Sequence, residues 1–134
     1  MTELDRALGA ALAFGEKMLA AKGAFTPFAA VVDHDGIAIA QVPKVPRGGD
    51  PDAALETLVG GLRDQRGRLW AVALATNRAD AELGDVLHVH VEQRQGGLCA
   101  VVVVPYTARR RGRAVTFGEP RRVPSTPIIW PSSS

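Results

Sequence analysis

The sequence predicts an α+β fold: a single antiparallel sheet of about five or six strands with two helices on one face, in the order α-β-β-α-β-β-β-(β). Three observations predict it. Residues 3–22 carry apolar side chains at helical spacing, residues 28–42 split into two β-rich runs around an Asp-Gly pair, and residues 69–119 alternate strand-like runs with glycine-marked turns. The 134 residues suit one domain, and 46% hydrophobic against 22% charged residues is a globular balance rather than a disordered one. Residues 1–119 read as the α+β domain and residues 120–134 as a proline-rich C-terminal tail.

In the first helix, Leu4, Leu8, Ala11, Leu12, Gly15, Met18 and Leu19 recur at three- and four-residue spacing. Thr2 is placed to cap it, with Asp5 three residues on as a capping-box variant, and Gly23 is placed to end it. Phe28–Val32 and Ile37–Val42 form the expected hairpin, turned at Asp35-Gly36 because glycine accepts a positive φ without steric cost. Asp50 and Pro51 then open a second helix whose buried stripe is Ala54, Leu55, Leu58, Val59 and Leu62, ending near Gln65–Gly67.

The rest reads as strands. "LWAVALAT" (69–76), "DVLHVHVEQR" (85–94) and "GLCAVVVVPY" (97–106) follow in order, the last two joined at Gln95-Gly96-Gly97, and "AVTFGE" (114–119) follows the turn "RRRGR". Pro120, Pro124, Pro127 and Pro131 then predict an extended segment without regular structure. "LCAVVVV" is apolar on both sides, so both of its faces need cover. With both helices on one side, the other face must meet the proline-rich tail or a second copy, and a homodimer is the expectation.

Charge is unevenly spread. Residues 105–134 hold six arginines against the single acid Glu119, a net +5, while the preceding residues carry −3. One cysteine excludes an intramolecular disulfide, and acids at Glu3 and Asp5 argue against a signal peptide. No apolar stretch approaches the ~18–20 residues a membrane helix needs. A soluble cytoplasmic protein with no membrane partner is expected. Thirteen arginines against three lysines suit a GC-rich bacterial genome.

The segment "FAAVVDHDGIAIAQ", a hairpin between two helices, resembles the corresponding part of the roadblock/dynein-light-chain family. That resemblance implies a helix-flanked sheet, dimerisation and a non-catalytic role beside small GTPases or motors. It covers residues 4–65 by pattern and the later strands by order alone, and the chain departs from it in ending with prolines and arginines. The frame "FTPFAAVV … VVVVPY" also resembles small actinobacterial proteins.

Candidate sites are few. In a strand, His88, His90 and Glu92 share one face, with neighbours about 6.5–7 Å apart, close enough for two imidazoles to share a metal. Glu92 would complete a two-His, one-carboxylate set, with His34 or Asp35 as possible fourth ligands. The same alternation is also what any half-buried strand shows, and three ligands in a straight row converge poorly on one ion. Arg109, Arg110, Arg111, Arg113, Arg121 and Arg122 form a basic surface suited to an acidic protein partner. Nucleic acid is disfavoured, because aromatic stacking platforms are scarce and the whole chain is nearly neutral. Trp130, with Ile128 and Ile129, either docks on its own sheet, the expected case, or meets a partner. Cys99, placed in a central strand, behaves as a small hydrophobe. "GGDPDAALE" lacks the lysine and hydroxyl of a phosphate loop. No nucleotide or cofactor fingerprint is visible, so no cofactor is expected. The leading expectation is a non-enzymatic homodimeric protein-interaction or regulatory module. The alternatives are a small-molecule- or metal-binding protein or small enzyme with a cleft near His88, His90 and Glu92, and weak nucleic-acid binding through the arginine hairpin.

Overall fold

A computed structural model describes residues 3–22, 27–36, 38–42, 51–94, 99–107 and 115–130. Among these residues are two helices, α1 (Glu3–Lys22) and α2 (Pro51–Gln65), and seven strands. The strands are β1 (Phe28–Asp33), β2 (Ala38–Gln41), β3 (Leu69–Asp80), β4 (Gly84–Gln93), β5 (Cys99–Thr107), β6 (Thr116–Phe117) and β7 (Arg121–Pro124). All pairings are antiparallel, in the order β2-β1-β3-β4-β5-β6, with β7 also on β5. The α+β class and the element order are those the sequence predicts. The capping residues Thr2, Gly23 and Asp50, the Gln95-Gly96-Gly97 turn and the "RRRGR" turn lie outside the described residues. Among the described residues no helix is long and apolar enough to cross a membrane.

The helices do not share a face. Ala30, Val32, Ala71, Ala73, Ala75, Leu87, Val89, Val91, Val102 and Val104 pack with Leu4, Ala7, Ala11 and Leu19 of α1. The alternate residues Ala29, Val31, Val72 and Leu74 pack with Leu58 and Leu62 of α2 and with Ile129. Successive strand residues point to opposite sides, so this parity puts α1 on one face and α2 on the other. The near-continuous apolar runs in β1 and β3 are the reason: each face of those strands meets its own helix.

Small residues let α1 approach closely. Ala71, Ala73 and Ala75 form its floor on β3, and Phe28 and Leu87 fill the flanks. A Cβ at Gly15 would stand 3.5 Å from Leu87 and 3.7 Å from Phe28. The rings of Phe14 and Phe28 meet edge to face, 4.6 Å between centroids. Each fully buried Phe or Leu here contributes roughly 1.5–3 kcal/mol.

Two other expectations are revised. The third strand continues past Thr76 to Asp80, in a ten-pair ladder with β4. It closes at a turn where Asp80 Oδ1 accepts the backbone N–H groups of Glu82 and Leu83, and Gly84 takes a φ of 77°. The proline-rich tail is not wholly irregular either, because Arg121–Pro124 pairs with Val103–Ala100 of β5. An edge position makes this possible, since an outward-facing proline costs the ladder no hydrogen bond.

Candidate functional site

The face opposite α1 is closed by two different devices. Over β1 and β3 it is α2; over β4 and β5 it is the segment after β7. On β4, His88, His90 and Glu92 point to this side, opposite Val103, Val101 and Cys99 of β5. Glu92 is not on a solvated polar face, as the alternation alone allows; it is 1% exposed.

A buried carboxylate requires donors, and the tail brings them. Glu92 Oε1 accepts the backbone N–H of Ile128 at 2.5 Å and of Ile129 at 3.0 Å, and Oε2 accepts those of Ile129 at 3.1 Å and Trp130 at 3.0 Å. His90 Nε2 lies 2.6 Å from Oε1. Three successive N–H groups thus cup one carboxylate, a backbone nest of the kind that binds anions. Burial alone would raise the carboxyl's pKa. The His90 hydrogen bond and the N–H groups of Ile128, Trp130 and Ile129 outweigh it, so the group is held below the usual carboxylate range.

The tail is gripped from its other side as well. Arg63 Nε donates to the Ile128 carbonyl at 2.8 Å, Arg66 Nη1 reaches the Ile129 carbonyl at 3.4 Å, and the Trp130 indole donates to the Arg66 carbonyl at 3.1 Å. Ile129 is fully buried against Leu58, Leu62 and Leu69. Trp130 therefore docks on its own chain. Arg121 and Arg122 are exposed on β7, and Arg109, Arg110, Arg111 and Arg113 lie outside the described residues.

The structure changes the metal-ligand set suggested by the sequence. His90, Glu92 and Cys99 place one donor atom each within 4.8 Å of one another, and His88 is not part of that group. Cys99 Sγ is 3.6 Å from His90 Nε2, and Ser125 Oγ is 3.5 Å from His90 Nδ1. His34 and Asp35 instead face each other at 3.7 Å on the exposed β1–β2 turn. His88 lines a groove of about 190 Å³ with Leu55, Leu74, Arg78, Val101 and Ser125, and His90 stands at its wall. Burial, then Arg78, then His90 push the His88 pKa down, so its imidazole is neutral near pH 7. Burial, aided by the Glu92 charge, pushes the Cys99 thiol up to about 11, leaving it protonated and a poor nucleophile.

Sequence reasoning missed two members of the cluster. Cys99 joins because it stands directly across the ladder from Glu92, a pairing fixed by the length of the β4–β5 connection. Ser125 and the N–H groups of 128–130 gave no signal, since backbone donors carry no side-chain signature. Comparison of the chain with protein-family models, with curated proteins and with solved structures found no match.

Proposed function

We propose that the chain is a non-enzymatic protein-interaction module that works as a homodimer, two copies pairing through the outer edge of β2. The observation that carries this reading is the character of that edge. Among the described residues strand β2 pairs with β1 alone, and Ile39 and the following Val42 are 50% and 53% exposed. The described edge residues, Ala38–Gln41 and Val42, include no charge and no proline. Proteins usually guard an open sheet edge with such residues, because unpaired N–H and C=O groups recruit other strands. The opposite edge is guarded in this way, by Arg121, Arg122 and Pro124 of β7. An uncharged antiparallel edge can pair with its own copy about a two-fold axis.

The polar side chains support a non-catalytic role on separate grounds. Both Glu92 oxygens are engaged by internal donors, and the Cys99 thiol is protonated. Arg121 and Arg122 add an exposed basic surface suited to an acidic protein partner. Sedimentation equilibrium at micromolar concentration tests the assembly. The expected result is a dimer that Ile39→Lys converts to a folded monomer; a strictly monomeric wild-type chain overturns the reading. The groove beside His88 favours a second reading, a small-ligand site, for which a retained ligand in native mass spectra is the expected sign.

A further inference from the structure

We propose that His90, Glu92 and Cys99 form a structural site for one divalent transition-metal ion of the zinc type, tying β4, β5 and the tail together. The three residues come from two strands and converge on one face: Glu92 and Cys99 are cross-strand partners, and His90 is the next residue on that face of β4. Their donor atoms lie within 4.8 Å of one another.

The distances suit a tetrahedral ion. Zinc bonds of ~2.0–2.1 Å to nitrogen and ~2.3 Å to sulfur put the two donors about 3.6 Å apart at the tetrahedral angle. The His90 Nε2–Cys99 Sγ separation is 3.6 Å. The same radii ask for about 3.4 Å between nitrogen and carboxylate oxygen. His90 Nε2 and Glu92 Oε1 are 2.6 Å apart, held by the hydrogen bond the ion would replace, so this gap opens by under about 1 Å.

The surroundings are those of a built site. Metal-ligating histidines usually give their second ring nitrogen to a hydrogen-bond partner, and ligating carboxylates are themselves hydrogen-bonded. Here His90 Nδ1 faces Ser125 Oγ at 3.5 Å, and the carboxylate of Glu92 is oriented by the N–H groups of Ile128, Ile129 and Trp130. On binding, the Cys99 thiol proton leaves to solvent, and His90 ligates as a neutral imidazole through Nε2, its one ring proton on Nδ1. One divalent cation, one thiolate and one carboxylate then sum to zero charge in a buried place. Imidazole with thiolate selects zinc-like or copper-like ions over magnesium or calcium. The groove at whose wall His90 and Ser125 stand gives the ion an entry path.

Native mass spectrometry of the full chain, purified without chelator or histidine tag, and titration with Co2+ test the site. The expected result is one ion per chain and a near-ultraviolet thiolate-to-cobalt band. Cys99→Ala should abolish the band and weaken Zn2+ binding by more than about 100-fold, beyond the roughly 10–100-fold that an outer partner costs. His88→Ala should cost less than ten-fold. Absence of a thiolate band, wild-type affinity in Cys99→Ala, or equal loss in His88→Ala overturns the proposal. Glu92 is left unchanged because it also holds the tail. Should Cys99→Ala not fold, the wild-type chain still decides: one equivalent of Zn2+ must slow alkylation of Cys99, and an unchanged rate overturns the site. These readouts do not depend on subunit number, so the metal and the dimer fail separately.

Discussion

One strand, β4, serves both faces of the sheet, and the two faces are closed by different physics. Toward α1 it presents Leu87, Val89 and Val91, all fully buried in an apolar cluster. Toward the other side it presents His88, His90 and Glu92, and the cover there is irregular chain gripped by hydrogen bonds to a carboxylate. The first face is closed by area removed from water, which tolerates small shifts. The second is closed by directed donors, which must all be in place, because a buried carboxylate without them is strongly penalised.

Substitutions can separate the two modes. Phe28→Ala, in the apolar face, should cost the most, about 4 kcal/mol in chemical denaturation. The amides of Ile128–Trp130 should then exchange only with global unfolding. Glu92→Ala should cost less, about 2–3 kcal/mol, yet expose those three amides to hydrogen exchange long before the sheet opens. Equal protection in both variants would dissolve the distinction between the faces. Gly60→Ala and Gly61→Ala should each stabilise by up to about 1 kcal/mol by raising helix propensity in α2, since an added Cβ meets nothing within 4 Å at either position; a loss of stability would show that α2 is more tightly fitted than this. Asp80→Ala, at the β3–β4 turn and under neither cover, should lower the melting temperature least. The N–H groups of Leu83 and then Glu82 hold the Asp80 carboxyl below its ordinary 3.8. A depressed pKa contributes stability above the unfolded value that is lost as pH falls through the folded one. The gap between wild type and Asp80→Ala should therefore be present near neutrality and close below about pH 4.

The apolar face was legible because periodicity reports burial directly: α1 and the runs in β1, β3, β4 and β5 follow from spacing alone. The split of the helices between faces was also within reach, since "LWAVALA" is apolar on both sides and so requires two covers. The latch was not. Alternation in "HVHVE" is the same whether the polar side meets water or a carboxylate-binding segment. What decides between them is a stretch of backbone 36 to 38 residues downstream, whose donors every non-proline residue possesses. Pro124 pointed away from a strand, and only its edge position reconciles it with β7.

The sequence separation of the latch sets an order of events during synthesis. The β3–β4 ladder is local and can form as soon as Gln93 is available, with Glu92 already committed to its face. Its donors at 128–130 arrive later; at ~5–20 residues per second the wait is roughly 2–7 s. During that interval the half-made domain carries an anion with no backbone nest to receive it, on a side of the sheet that still lacks part of its cover. Until then that side of the sheet is open to water, and the arrival of Ile128, Ile129 and Trp130 closes it.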